Sequence, residues 1–322
     1  MTELEQKNLS NPQYSGVETD LRELLETLWA GKIKIIVITA IFAIASVTYS
    51  LSVSNEYRAT TTLVAAQQES GALSGALGQL GGLASLAGVN LDGVETSEAR
   101  VAQEIMQSWS FIEGFIKSNN LAVELLAAES WDKASNKLII DKDIYDSESK
   151  KWVSDEKWVS EDGSPSSWTL FKAFSKRLVM SEDKISGLLS VTIEYYSPHL
   201  AKQWLDLYVT AINSHMQKRQ VSKVNNNIEY LQAQIEKTSI AKMQEVFYTI
   251  IEEQIKKKML AEASPDYAFV AVSPSMVPEE RSKPQRALIC ILVTLLGGML
   301  SVLLVLSMHY VRRPGLTLTK QN

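Results

Sequence analysis

Residues 287–308, ALICILVTLLGGMLSVLLVLSM, contain no charged side chain. A helix of about 22 residues rising 1.5 Å each crosses a hydrocarbon core of ~30 Å, so this run reads as a transmembrane helix. A buried helix of a soluble core is the alternative, and the length of the run and its charged flanks argue against it. Arg286 stands immediately before it, and Pro274, Pro278 and Pro284 punctuate the approach. Each proline fixes φ and lacks a backbone donor, which predicts an extended, stiff lead-in. Inside the run, Gly297 and Ser301 have the small-xxx-small spacing that lets two helices approach closely. They read either as a seam, facing another span of the chain or a neighbouring subunit, or as incidental small residues, since glycine is common in membrane helices.

Working outward, a second apolar run covers residues 35–53, IIVITAIFAIASVTYSLSV, interrupted only by uncharged hydroxyls. Hydroxyls are tolerated in such helices because they bond within the helix or across to a neighbour. The residues before it are polar and too many for a cleavable secretory leader, so the run is expected to be retained as an anchor. Leu21, Leu24, Leu25 and Leu28 follow helical spacing after Thr19 and Asp20, with Trp29 close behind. That segment is an amphipathic helix at the membrane surface or a helical lead-in to the span. Lys32 and Lys34 precede the first span, and Arg312, Arg313 and Lys320 follow the second. The positive-inside rule then puts both termini in the cytoplasm; Arg281, Lys283 and Arg286 oppose it, but long translocated domains are largely exempt. The expected organisation is a cytoplasmic tail over 1–34, spans over 35–53 and 287–308, a periplasmic domain over 54–286 and a short tail over 309–322.

The composition fits this division. Apolar residues make up 45% of the chain and charged residues 21%, and a mean hydropathy of −0.05 blends lipid-facing and water-facing parts. A net charge of −5 without a basic stripe argues against nucleic acid as a partner. The single cysteine, Cys290, lies in the second span, so the middle of the chain can form no disulfide.

Between the spans, residues 56–65 (EYRATTTLVA) are rich in β-branched side chains and read as a strand. Residues 70–93 are a Gly/Ala/Leu/Ser-rich stretch, read as a pliable loop packed on its own domain or as a mobile apolar segment that touches lipid, a partner or a growing ligand. Residues 97–126 carry apolar positions at helical intervals with a break at Asn119 and Asn120. A helix near 168–177 and a strand over 188–196 follow, the strand paired with 178–181.

Ser197-Pro198 opens a helical pattern that meets no further proline until Pro265, predicting one helix over about 198–263 and on the order of 100 Å long. Val221, Val224, Ile228, Leu231 and Ile235 alternate by three and four, the spacing of a coiled coil. An eight-residue step through Ser239 to Met243 reads as a stutter. The stripe is either a contact between subunits or a seam against the chain's own domain. Residues 266–276 alternate as a strand able to pair with 56–65. The fold class is therefore an α+β domain with a mixed sheet near the membrane and one very long helix, anchored by two transmembrane helices.

Nothing in the chain suggests catalysis. The glycines between Gly71 and Gly88 are not followed by Lys-Ser or Lys-Thr, so no phosphate loop is present. His199, His215 and His309 stand in no metal-ligand spacing, and acid pairs such as Glu252 with Glu253 or Asp141 with Asp143 read as solvated charges. No catalytic, cofactor or metal site is expected.

The order of parts resembles a known family. DLRELLETLWAGK before the first span, EYRATTTL after it, the Gly/Leu-rich segment, the long helix after SPHLA and the proline-spaced approach to the last span are similar to the Wzz-type polysaccharide co-polymerases, the chain-length determinants of O-antigen and related glycans. The resemblance implies an inner-membrane protein with its α/β domain in the periplasm. It also implies a homo-oligomeric ring acting on a Wzy-type polymerase and its lipid-linked polysaccharide. On the same grounds, Pro274, Pro278, Pro284 and the Gly297 region are expected to matter for function. Kinase-bearing relatives need a nucleotide fold, for which the residues after Met308 are too few. A polysaccharide export adaptor and a two-span sensory receptor are the other classes compatible with two spans around one domain.

Overall fold

The computed structural model describes residues 21–66, 93–153, 159–160 and 163–312. The polar tail, the residues proposed to cap the first helix, nearly all of the Gly/Leu-rich stretch, Arg313 and Lys320 lie outside them. The chain divides into two compact units, Met1–Val53 with Gln285–Asn322, and Ser54–Pro284.

The first unit contains α1 (Leu21–Ala30), α2 (Lys32–Ser52) and α9 (Arg286–Arg312). Lys32–Ser52 and Arg286–Met308 are both long and apolar enough to cross a membrane. Only 11% and 17% of their most apolar windows are buried, which a core helix of a soluble domain would not show. On α1, Trp29 is exposed and the Lys32 ammonium lies 4.5 Å from its ring centre. Gly31 joins α1 to α2 where a Cβ would fall 2.4 Å from Val305 Cγ1, so only glycine lets the junction sit this close to α9.

The second unit is built on β1 (Glu56–Ala65), with the bounds its β-branched content predicts. Three helices follow: α3 (Gly93–Gln107), α4 (Trp109–Ser118) and α5 (Ala122–Ala127). Ser108 caps α4 by accepting from Phe111 N, and Asn120 (φ 55) makes the expected break before α5. Two short hairpins come next, β2 (Ala128–Asp132) with β3 (Lys137–Ile140) and β4 (Tyr145–Asp146) with β5 (Lys151–Trp152). Then come α6 (Ser167–Ser175), β6 (Leu178–Glu182) and β7 (Leu189–Tyr195).

Ser197 accepts from Leu200 N and Pro198 occupies the first turn, so α7 (Pro198–Lys237) begins where the sequence predicts. It does not continue to 263. Thr238 (φ −103, ψ 122) and Ile240 (φ −88, ψ 109) are extended, and α8 (Ala241–Ala263) folds back along α7. Gln217 on α7 donates to Ala261 O and Ser264 O, while Gln244 on α8 donates to Thr238 O, fixing an antiparallel hairpin at both ends. A lone projecting helix would leave Val224 and Ile251 in water, whereas the hairpin buries both, at roughly 1.5 kcal/mol or more per fully buried side chain. The eight-residue apolar step is therefore a turn and not a stutter.

β8 (Phe269–Ser273) and β9 (Arg281–Lys283) complete a sheet of order β6-β7-β1-β8, with β9 also on β1. All its pairings are antiparallel, which corrects the expectation of a mixed sheet. The hairpin accounts for this, because an out-and-back excursion delivers β8 to β1 antiparallel, as β7 already is. Ala59, Leu63, Val191, Ile193 and Tyr195 point from the sheet into the core beneath the first half of α7, where Trp204, Leu205, Tyr208 and Ile212 are buried. Phe115 of α4 and Phe174 of α6 close on Tyr208 with ring centres 4.9 and 5.2 Å away. The buried hydroxyls have partners: Tyr208 donates to Met106 O and Tyr195 to Glu124 O. Burial raises both phenols above their ordinary value.

Candidate functional site

The segment carrying the three prolines is a strap held to the second unit at four points. Pro274 directly follows β8, where a residue without N–H ends the ladder. Thr61 Oγ1 donates to Ser273 O at 2.8 Å, and the 8% exposed Ser275 donates to Asp206 on α7. Ser282 Oγ donates to Glu56 O at 3.1 Å. Lys283, joined to Pro284 by a cis peptide, donates to Glu194 on β7. Pro274 is exposed, while Pro278 and Pro284 are half-buried.

Glu194 is the electrostatic centre of this region. Its side chain is 3% exposed and lies opposite Arg58, whose Nε donates to it at 2.9 Å, with Lys283 on its other oxygen. Burial alone pushes the carboxyl up, but the hydrogen bonds and charges of Lys283 and Arg58 outweigh it and hold the group below the usual carboxylate value. Arg177 lies 3.9 Å from Glu56 and stacks over the rings of Tyr195 and Tyr196. The network joins β1, β7 and β9 where the strap leaves the sheet. Sequence reading missed it because its members are far apart in the chain. The one available signal was a single carboxylate, Glu194, within an otherwise apolar or hydroxyl-bearing strand.

In the first unit the small residues of α9 form a seam with α2. A Cβ at Gly297 would lie 2.5 Å from Phe42 Cβ and Cγ. Ser301 is fully buried, donates to Gly298 O at 2.7 Å and stands 3.5 Å from Thr39 Oγ1. Of the readings left open by the sequence, Gly297 and Ser301 therefore face the other apolar helix of the same chain.

The stripe on α7 also faces its own chain. Val224 is 1% exposed, and Val221, Ile228, Leu231 and Ile235 are half-buried along the hairpin. The acid pairs have local roles. Glu252 pairs with Lys256 at 2.8 Å, and Asp141 Oδ1 accepts from Asp143 N at 2.9 Å. His199 and His215 lie on the surface of α7, the latter with its ring 5.5 Å from that of Phe111.

Residues 17–119 match the family described as Wzz, chain length determinant protein. The match takes in α1, α2, β1, α3 and α4, and over this stretch it agrees with the resemblance read from the sequence. No curated protein matches the chain. Among solved structures, a full-length bacterial polysaccharide co-polymerase is 15% identical, with a TM-score of 0.42, covering 92% of this chain and 100% of its own. A fragment of WzzB, the polysaccharide co-polymerase from Salmonella Typhimurium, is 11% identical, with a TM-score of 0.32, covering 71% and 100%.

Proposed function

We propose that this protein regulates the chain length of a surface polysaccharide of the O-antigen type from the bacterial inner membrane. The observation that carries the reading is the chain length determinant match over residues 17–119. It agrees with two membrane-length apolar helices on either side of one α+β unit.

In this reading both termini are cytoplasmic, the unit Ser54–Pro284 is periplasmic, and several copies form a ring beside a Wzy-type polymerase and its lipid-linked glycan. The protein makes and breaks no bonds. A repeated rigid surface raises the local concentration of weak contacts and so alters how long a growing chain stays at the polymerase. The strap with Pro274, Pro278 and Pro284 and the seam at Gly297 and Ser301 transmit the state of the periplasmic unit to the spans. Tying the strap to Glu194 and Asp206 suits such coupling, because a tethered segment moves with the sheet and α7.

The test is deletion of the gene and display of the surface polysaccharide on a gel. A shifted modal length, with polymer still exported, is the expected result. Loss of all export would support an adaptor, and an unchanged ladder would support a receptor; either overturns the proposal.

A further inference from the structure

Where α8 ends against the middle of α7, the hairpin leaves an open groove of about 430 Å³. Val221 contributes an apolar patch, Lys218, Ser222, Asn225 and Asn226 line the α7 side, and Glu262 stands on the α8 side. Gln217, also in the lining, is occupied by the carbonyls at the end of α8. The side chains of Ser222, Asn225 and Asn226 are exposed and make no hydrogen bond among the described residues, so their polar groups face water.

Asn225, Asn226 and Asn227 stand in succession inside a 40-residue helix. Asparagine is a poor helix former because its amide competes with the backbone. A run of such residues with no internal bond in return is the kind of local conflict found at working surfaces. The chemistry of the lining narrows the ligand. Carboxamides and hydroxyls donate and accept at once, as sugar hydroxyls do. Glu262 faces Lys258 on its own helix at 3.9 Å and Lys218 stands on the α7 side, so charges of both signs border the groove and it offers no concentrated field for a phosphate chain or a nucleic acid.

We infer that this groove binds a segment of a polyhydroxylated chain, the polysaccharide whose length is regulated; this rests on the function proposed above. Each contact is weak and exposed, and copies of the groove in an assembly would add through effective concentration.

The test uses the full chain in detergent, with the host's surface polysaccharide released from its lipid as probe and dextran as the control glycan. Binding is followed by saturation-transfer NMR and titration. The variant combines Ser222→Ala, Asn225→Ala and Asn226→Ala, changes that favour the helix, and its circular dichroism and complex mass are measured alongside. The expected result is binding of the host polysaccharide by the unaltered protein, weakened about tenfold or more in the variant. Equal binding by both proteins, or no binding by the unaltered one, overturns the inference. So does a changed complex mass with unchanged glycan binding, which would make the groove a subunit contact. These failures leave the function untouched, because the deletion ladder decides that separately.

Discussion

Lys283 reaches across β1 to Glu194 on β7, so the last residues before the C-terminal apolar helix are ionically tied to a strand they do not pair with. Glu194→Gln leaves Lys283 and Arg58 without a countercharge and is expected to cost about 1–3 kcal/mol at neutral pH. The Glu194 carboxyl lies below its ordinary value of 4.5 in the folded protein. A depressed carboxyl stabilises the fold above its ordinary value, and that contribution is lost as pH falls through the folded value. Denaturant titrations of the full chain in detergent should therefore show an acid-dependent loss beginning near pH 4.5 that is smaller in Glu194→Gln. Identical pH profiles for the two proteins would contradict this role.

At Gly297, α9 approaches α2 so closely that Phe42 occupies the space a side chain would need. Gly297→Ala is expected to destabilise the helix pair by about 1–3 kcal/mol, as overpacking does. Adding Phe42→Ala should recover part of the loss. A double-mutant cycle in detergent measures this, and simple additivity would show that the two residues do not meet.

Asn213 is 1% exposed and binds backbone on both sides of the entry to β8: its Oδ1 accepts from Ala268 N and Phe269 N, and its Nδ2 donates to Phe269 O. Asn213→Ala orphans these groups in the core and should cost about 2–4 kcal/mol, since each unsatisfied buried group costs ~1–3. Unchanged stability in urea would mean that the strand entry has other support.

Val224 fixes the position of the hairpin. Val224→Asp places a charge in the seam between α7 and α8 and should speed hydrogen exchange of α8 amides, while Trp204 to Ile212, beneath the sheet, keep their protection. Uniform loss of protection in both regions would show that the hairpin and core open as one unit.

What was legible in the sequence follows from range. The β-branched run over residues 56–65 and the Ser197-Pro198 helix start are local signals, and both elements appear where they were expected. The turn at residues 238–240 was hidden because Thr238, Ser239 and Ile240 include neither glycine nor proline, and the pairing of α7 with α8 alone makes turning back favourable. Gly297 announced a close approach, but only the structure supplies Phe42 as its partner. The Glu194 network joins positions 136 and 89 residues apart, beyond the reach of any periodicity.

The proposed role requires the second unit to lie outside the cytoplasm between two membrane crossings. Fusing reporters at residue 150 tests that most directly: an enzyme active only after export should be active there, and one that works only in the cytoplasm should be silent. The reverse pattern would contradict the topology and, with it, the proposed role in polysaccharide length control.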